Sequence, residues 1–421
     1  MNENITVYQG KRPGGMPPAF LDADAAKRVR NFHQSLEEYE KTPLVSLDSM
    51  AKRLGLGGIY VKNESKRFGL NAFKALGASY AIHELLLKEA EAEDGKGTGI
   101  SGNGACGKET GGSRKKEEQA GKSGQPGDGQ TVHPAFPGGK GKVFVTATDG
   151  NHGKGVAWSA WKAGGRAFVF MPKGSRECRV EAIAAIGETK VTVTDWNYDD
   201  TVRYAWNFAR ENGYYFIQDT GFDGYTEIPN LIGQGYLTMI EEALEQLAEY
   251  GVERPTHVFL QAGVGTMAGA VLGYLANRYQ EKLPTVSIVE ADESACVLAS
   301  AKAGERAAIG GNPQTVMAGL NCGEVSICVW PILRDFASFY ISCPDWVTEL
   351  GMRTYAHPEG TDQPVISGES GAVGLGLIMS LCEKAEYEES RKAMGLDENS
   401  RILLISTEGN TDPEHYEAVT K

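Results

Sequence analysis

No stretch of this sequence approaches the roughly 20 consecutive apolar residues that span a bilayer, and the opening "MNENITVYQGKRPGG" lacks the apolar core of a secretory signal. These absences argue against a spanning helix and make the cytoplasm the expected location. Cysteine is scarce and poorly placed for bonding: Cys106, Cys178, Cys296, Cys322, Cys328, Cys343 and Cys382 are odd in number, scattered and never spaced as C-x-x-C. Neither a disulfide framework nor a zinc knuckle follows, and the thiols read as reduced and mostly core. The histidines show no metal-ligand spacing either, so no metal is expected. Positive charge is also short: 42 Lys and Arg stand against 55 Asp and Glu, a formal net charge of -13. General binding to nucleic acid or an anionic membrane needs a basic face, so neither is an expected partner. A soluble enzyme of small molecules fits better.

What is present is a chain of 421 residues, 41% hydrophobic, long enough for two domains or one large α/β unit. Short β-branched or aromatic runs alternate with longer amphipathic ones, the pattern of parallel sheets covered by helices. The strand candidates are "GIYVKN", "KVFVTAT", "RAFVFMP", "KVTVTD", "YYFIQD", "HVFLQAG", "TVSIVEAD" and "RILLIST". Helices are expected between them, among others over 74–91, 155–163, 201–212, 228–249 and 372–386. One segment breaks the rhythm. Gly95 to Gly141 is rich in glycine, lysine, serine and glutamate and almost free of large apolar residues, so it reads as a flexible surface insertion.

Two glycine-rich turns follow strands and open helices: "TATDGNHGKG" from Thr146 and "QAGVGTMAGA" from Gln261. Each sets backbone N–H groups at a helix N-terminus, where an anion is favoured. Neither continues into the G-K-[ST] of a Walker loop, and neither is a clean dinucleotide fingerprint. Glycine demanded by tight turns alone would give the same pattern. Lys74 stands in "NAFKALGAS", between a glycine-containing loop and a helix start. A lysine held partly desolvated beside an aldehyde forms a Schiff base. Pyridoxal 5'-phosphate (PLP) requires such a lysine, a phosphate cradle, a partner for the ring nitrogen and an anchor for the substrate carboxylate. All four have candidates here.

These residues carry a resemblance. "NAFKALGAS" resembles the S-F-K-x-R-G-A segment of the fold-type II PLP enzymes, "TDGNH" their S-x-G-N-H loop, "GVGTMAG" their phosphate cradle and "STEGN" their late S-G-G-N segment. Within that group "KNESKRFGLNAFKALG", "TATDGNHGKGVAW", "QDTGFDGYTEIPNLIGQGY", "VMAGLNCGE", "ISGESGAVG" and "TEGNTD" resemble the blocks of the diaminopropionate ammonia-lyase family, in order from about residue 57 to 413. The resemblance implies two doubly wound α/β domains of the tryptophan synthase β-like kind with the cofactor in the cleft between them. Residues 1–80 and 196–421 would form the larger domain, and 81–195, with the insertion 95–141, the smaller. It further implies that Lys74 binds PLP, that Gly263, Val264, Gly265, Thr266 and Met267 donate to its phosphate, that Asn151 contacts the ring hydroxyl and that Thr407 faces the pyridine nitrogen. Thr148, Gly150, Asn151 and His152 would grip the substrate carboxylate. Asp149 and Asp219 match acid-base aspartates associated with the D- and the L-substrate.

Charge supports the same reading of Asp149. A carboxylate in a water-poor cleft is costly unless a cation pairs with it, and 2,3-diaminopropionate brings a second ammonium that must leave as ammonia. An N-cap on the following helix is the competing role for Asp149. The expected reaction is α,β-elimination of D- or L-2,3-diaminopropionate to pyruvate and ammonia by a homodimer. A serine or threonine dehydratase using the same lysine and cradle is the alternative, and a PLP-binding sensor without activity is a rival from another class. Lys74 could also replace one aspartate as base. The chain runs only a few residues past "TEGNTDPEHY", so no C-terminal regulatory domain is expected.

Overall fold

The computed structural model describes residues 4–93, 132–311 and 313–421. Its strands are β1 (Thr6–Gln9), β2 (Leu44–Ser46), β3 (Gly58–Asn63), β4 (Val143–Ala147), β5 (Arg166–Met171), β6 (Thr189–Val193), β7 (Tyr215–Phe216), β8 (His257–Gln261), β9 (Thr285–Ala291), β10 (Phe339–Cys343) and β11 (Arg401–Ser406). Seven form one sheet in the order β1-β10-β9-β8-β11-β3-β2, and four form a second in the order β6-β5-β4-β7. The smaller sheet is parallel throughout. In the larger one the five inner strands run parallel, and β1 and β2 close its edges antiparallel. β3, β4, β8 and β10 are buried along their whole length, which is why their sequences are nearly continuous apolar runs: helices cover both faces of a parallel sheet. The two helix-covered parallel sheets are the doubly wound α/β architecture expected.

The boundary expected at residue 196 is misplaced. β7 pairs with β4, and the helix Tyr198–Asn212 packs on β4 and β5, so the unit built on the smaller sheet runs to at least Phe216. Only two residues of "YYFIQD" join a ladder, and that they return beside β4 is a long-range pairing that local pattern does not encode. Of the expected insertion 95–141, residues 95–131 lie outside the described residues. Its end does not fit an open loop: Phe136 is fully buried, edge-on to Phe32, and Gly141 N donates to Gly164 O at 3.0 Å.

The helix expected over 228–249 is two helices, Glu227–Gly235 and Leu237–Glu249, separated at Tyr236. A Cβ at Gly235 would lie 2.5 Å from Leu76 O, and one at Gly77 would lie 2.7 Å from Ile232 Cγ2. Glycine on both sides thus lets Glu227–Gly235 cross the helix Ala75–Glu93 almost backbone to backbone, fixing the start of the helix that Lys74 precedes.

The chain between β3 and Lys74 is pinned by buried charge. Lys62 Nζ lies 2.7 Å from Glu242 Oε2, and Arg67 Nη2 lies 2.7 Å from the same oxygen and 2.8 Å from Glu64 Oε1, all four side chains fully buried. Thr42 Oγ1 donates to Glu64 at 2.5 Å. Two cations and two carboxylates compensate one another; removing any one leaves a buried charge unpaired. Beyond this cluster Phe68 (φ 51°) and Asn71 (φ 67°) take left-handed conformations that turn the chain toward the cleft.

Candidate active site

β3, β8 and β11 end together on one side of the larger sheet, with Asn63 level with Ser406, and β4 and β7 run side by side in the same direction in the smaller one. Every predicted site residue follows one of these carboxyl ends: Lys74 after β3, Thr148 to His152 after β4, Asp219 after β7, Gly263 to Met267 after β8 and Thr407 after β11. All line a single cleft of about 800 Å³, part of it open to solvent. Loops at strand carboxyl ends are where doubly wound sheets place their ligands.

At the floor of the cleft Lys74 Nζ donates to Asp219 Oδ2 at 2.5 Å. Burial lowers the pKa of the amine, but the adjacent Asp219 carboxylate outweighs it and the net shift is upward. Burial would raise Asp219 in turn; Lys74 overrides it and holds this carboxyl down at about 2. Lys74 and Asp219 therefore form an ion pair. Asp219 is held from behind as well, its backbone oxygen accepting from Thr266 Oγ1 at 2.5 Å.

Asp149 is different. Burial, opposed by Arg179 and reinforced by Asp199, pushes its carboxyl up to about 8. It does not cap the following helix: that helix, expected from Gly155, begins at Asn151 with Gly150 as N-cap and no side-chain cap bond there. The neighbouring Thr148 does the capping work, its Oγ1 accepting from Gly150 N at 2.9 Å and Gly153 N at 3.0 Å. Asp149 is left facing the cleft, with no cation among the described residues in hydrogen-bond reach of its carboxyl. His152 Nε2 donates to Ile217 O at 2.9 Å and burial lowers its pKa; the neutral ring keeps Nδ1 as an acceptor without a partner.

The other end of the cleft is a donor cradle. Gly265 (φ 88°) is the N-cap of the helix Thr266–Tyr279, whose first N–H groups have no intrahelical acceptor. A Cβ at Gly263 would stand 2.9 Å from Gly319 O and 3.0 Å from Cys322 Sγ, so only glycine keeps this approach open. Among the described residues, buried polar atoms of three cleft residues lack partners: Gln261 Oε1, Ser370 Oγ and His152 Nδ1. Buried polar groups are nearly always bonded; their concentration here marks a site shaped for a polar ligand. A flat phosphorylated aldehyde fits this set of donors, amine and orphaned acceptors.

Sequence reasoning passes over several residues in and beside the cleft. Arg179 sits in a helix that reads as an ordinary amphipathic one, yet it is 8% exposed, lines the cleft, and lies 3.7 Å from Glu369 Oε2 in the adjoining cavity. Glu369 is within "SGESG", a turn that opens a helix, and its Oε1 accepts from His415 Nδ1 at 2.8 Å. Glu408 is visible as a charged residue where the S-G-G-N pattern has glycine. It bonds Asn151 Nδ2 and, at 2.9 Å, the Ser370 N–H that opens the helix Glu369–Glu383.

Comparison with known proteins agrees with this geometry. Residues 131–407 match the family described as pyridoxal-phosphate dependent enzyme. The chain is 43% identical over 418 residues to diaminopropionate ammonia-lyase of Escherichia coli K12, covering 99% of this chain and 96% of that protein. The biosynthetic L-threonine dehydratase of the same organism is 30% identical over 162 residues, only 38% of this chain and 28% of that protein. A crystal structure of the Escherichia coli diaminopropionate ammonia-lyase, in complex with an aminoacrylate-PLP azomethine reaction intermediate, matches with a TM-score of 0.85 at 41% identity, covering 100% of this chain and 97% of that one.

Proposed function

This chain belongs to the pyridoxal-phosphate dependent enzymes and, among them, to the diaminopropionate ammonia-lyase family, and on that premise we propose that it eliminates ammonia from 2,3-diaminopropionate. One diaminopropionate and one water give pyruvate and two ammonia. The observation that carries the reading is the pairing of two unlike carboxyls in the lysine cleft, Asp219 ionised against Lys74 and Asp149 without a cation. When bound, PLP supplies an electron sink for the negative charge that develops at the substrate α-carbon.

The remaining work falls to the chain's own residues. Lys74 would hold the cofactor through its amine, Gly263, Val264, Gly265, Thr266 and Met267 would receive its phosphate, and Asn151 would take its ring hydroxyl. Thr407, which lines the cleft, would offer the ring nitrogen a neutral hydroxyl, and such a partner does not demand a proton there. The loop from Thr148 through Gly150, Asn151 and His152 orients the substrate carboxylate. Asp149 receives the second amino group: arriving as the neutral amine, this nitrogen takes the proton of the Asp149 carboxyl, and the ammonium and carboxylate so formed each favour the other's charged form. A β-nitrogen kept protonated is a competent leaving group; a hydroxyl gains nothing from that carboxylate. The same groups serve as bases from opposite sides, Asp149 for the D-isomer and Asp219 for the L-isomer. A cytoplasmic homodimer is the assembly we favour.

Replacing Asp149 with Asn tests the division of labour. D-isomer turnover should vanish, the L-isomer should lose only the share that pairing of its β-ammonium with Asp149 contributes, and Asp219→Asn should abolish L-isomer turnover while sparing much of the D-isomer's. Equal loss on both isomers from either variant would refute it.

A further inference from the structure

We infer that Glu408 is a positioning residue: its carboxylate fixes the side-chain amide of Asn151 so that the NH₂ group, and not the carbonyl, faces the cofactor. The inference rests on the cofactor reading above and deepens it with a residue that reading does not use. Glu408 follows β11 of the larger sheet, and Asn151 opens the helix after β4 of the smaller one, so the contact joins the two walls of the cleft.

The side chain of Glu408 is 3% exposed, and donors converge on both of its oxygens. Ser370 N donates to Oε1 at 2.9 Å. Asn151 Nδ2 donates to Oε2, and Thr411 Oγ1 lies 3.4 Å from the same atom. Room for this is provided by Gly368, where a Cβ would come within 3.1 Å of Glu408 Cγ. A carboxylate has no hydrogen to offer while both oxygens accept. Asn151 therefore has one permitted orientation, with NH₂ toward Glu408. That nitrogen carries two hydrogens; one goes to Glu408 and the second remains for the cleft that Asn151 lines. Without Glu408 the amide is free to turn by half a rotation, since its two ends are nearly alike in shape, and would then present an acceptor to an electron-rich ring oxygen. The helix start in "SGESG" takes part too: the anion at its first turn is the chain's own Glu408, so Ser370 N anchors the carboxylate that anchors Asn151.

The test is a double-variant cycle on the reconstituted holoenzyme without substrate, reading the dissociation constant for PLP and the pH midpoint of its visible absorption band. Glu408→Gln keeps the shape but has one accepting oxygen, so either Ser370 N or Asn151 loses its acceptor. It should weaken PLP binding on the order of tenfold and move the midpoint. Asn151→Ala should change both readouts by itself. Adding Glu408→Gln to Asn151→Ala should then change neither by more than about twofold, because the residue acts through the amide. Effects that multiply in the double variant, or a silent Glu408→Gln, would overturn the inference while leaving the cofactor in place. A wild-type protein that never forms the band with added PLP would overturn the cofactor reading and this inference together. Should Glu408→Gln fail to fold, Glu408→Asp, which keeps the charge but draws it back from Asn151, runs the same cycle with the same expectation.

Discussion

Replacing Asp149 with Asn should stabilise the cofactor-free protein, and the gain should grow with pH. Burial pushes the Asp149 carboxyl from 3.8 to about 8, so the folded chain keeps a proton that the unfolded chain releases. For an acid raised on folding, stability is greatest below the unfolded pKa and falls as pH climbs toward the folded one. Each unit between those limits removes up to about 1.4 kcal/mol. By pH 7 the loss approaches ~4 kcal/mol, which partial exposure of the side chain cuts to roughly 2 kcal/mol or somewhat more. The side-chain amide of the variant is neutral at every pH and escapes the loss. Thermal unfolding of both proteins at pH 4, 5, 6, 7 and 8 should show near-equal midpoints at pH 4 and a widening lead for the variant thereafter. Added 2,3-diaminopropionate should narrow that lead, because its second ammonium pairs with the wild-type carboxylate only. A lead independent of pH, or a variant less stable than wild type at pH 8, would refute the electrostatic account of this residue.

Breaking the buried charge cluster should act in the opposite direction. Glu242→Gln leaves Lys62 and Arg67 sharing one carboxylate, and a loss of about 3–5 kcal/mol is expected in denaturant unfolding. Gly235→Val places side-chain carbons against Leu76 O, so a cost of ~1–3 kcal/mol and a displaced Lys74 are expected, read as lower thermal stability together with weaker PLP retention. Lys74→Ala should abolish the visible band of the lysine-bound cofactor, as recorded by absorption after reconstitution, whereas Lys88→Ala, on an exposed lysine of the next helix, should leave it intact.

Much of this is legible in the sequence because the chemistry is local. The strands β3, β4, β8 and β11 announce themselves as apolar runs, since burial on both faces permits little else. Lys74, "TDGNH" and "GVGTM" each sit within a few residues of a strand end or a helix start, so short segments carry both the position and the residue type. What escapes reading depends on distance along the chain. β10, "FYISC", is only five residues long and takes its place in the sheet through long-range pairing with β9 and β1. β7 contributes two residues to a ladder whose partner lies 71 positions away, Phe144 opposite Tyr215, which displaces the boundary expected at 196. Arg179 and Glu369 meet only after the two sheets are assembled, and the bond from Glu408 to Asn151 crosses the same divide. The resemblance points to Asp149 as a cleft carboxyl and charge supports it, but its rejection as a helix cap requires seeing that Thr148 fills that role.

The central claim is most directly tested by pyruvate release from the purified, PLP-reconstituted protein supplied with D- or L-2,3-diaminopropionate, and separately with serine and threonine. The account predicts pyruvate with two ammonia per molecule from at least one diaminopropionate isomer, at a rate well above that on either hydroxy amino acid. Turnover confined to serine or threonine would keep the fold and the lysine but contradict the role given to Asp149, and with it the reaction proposed.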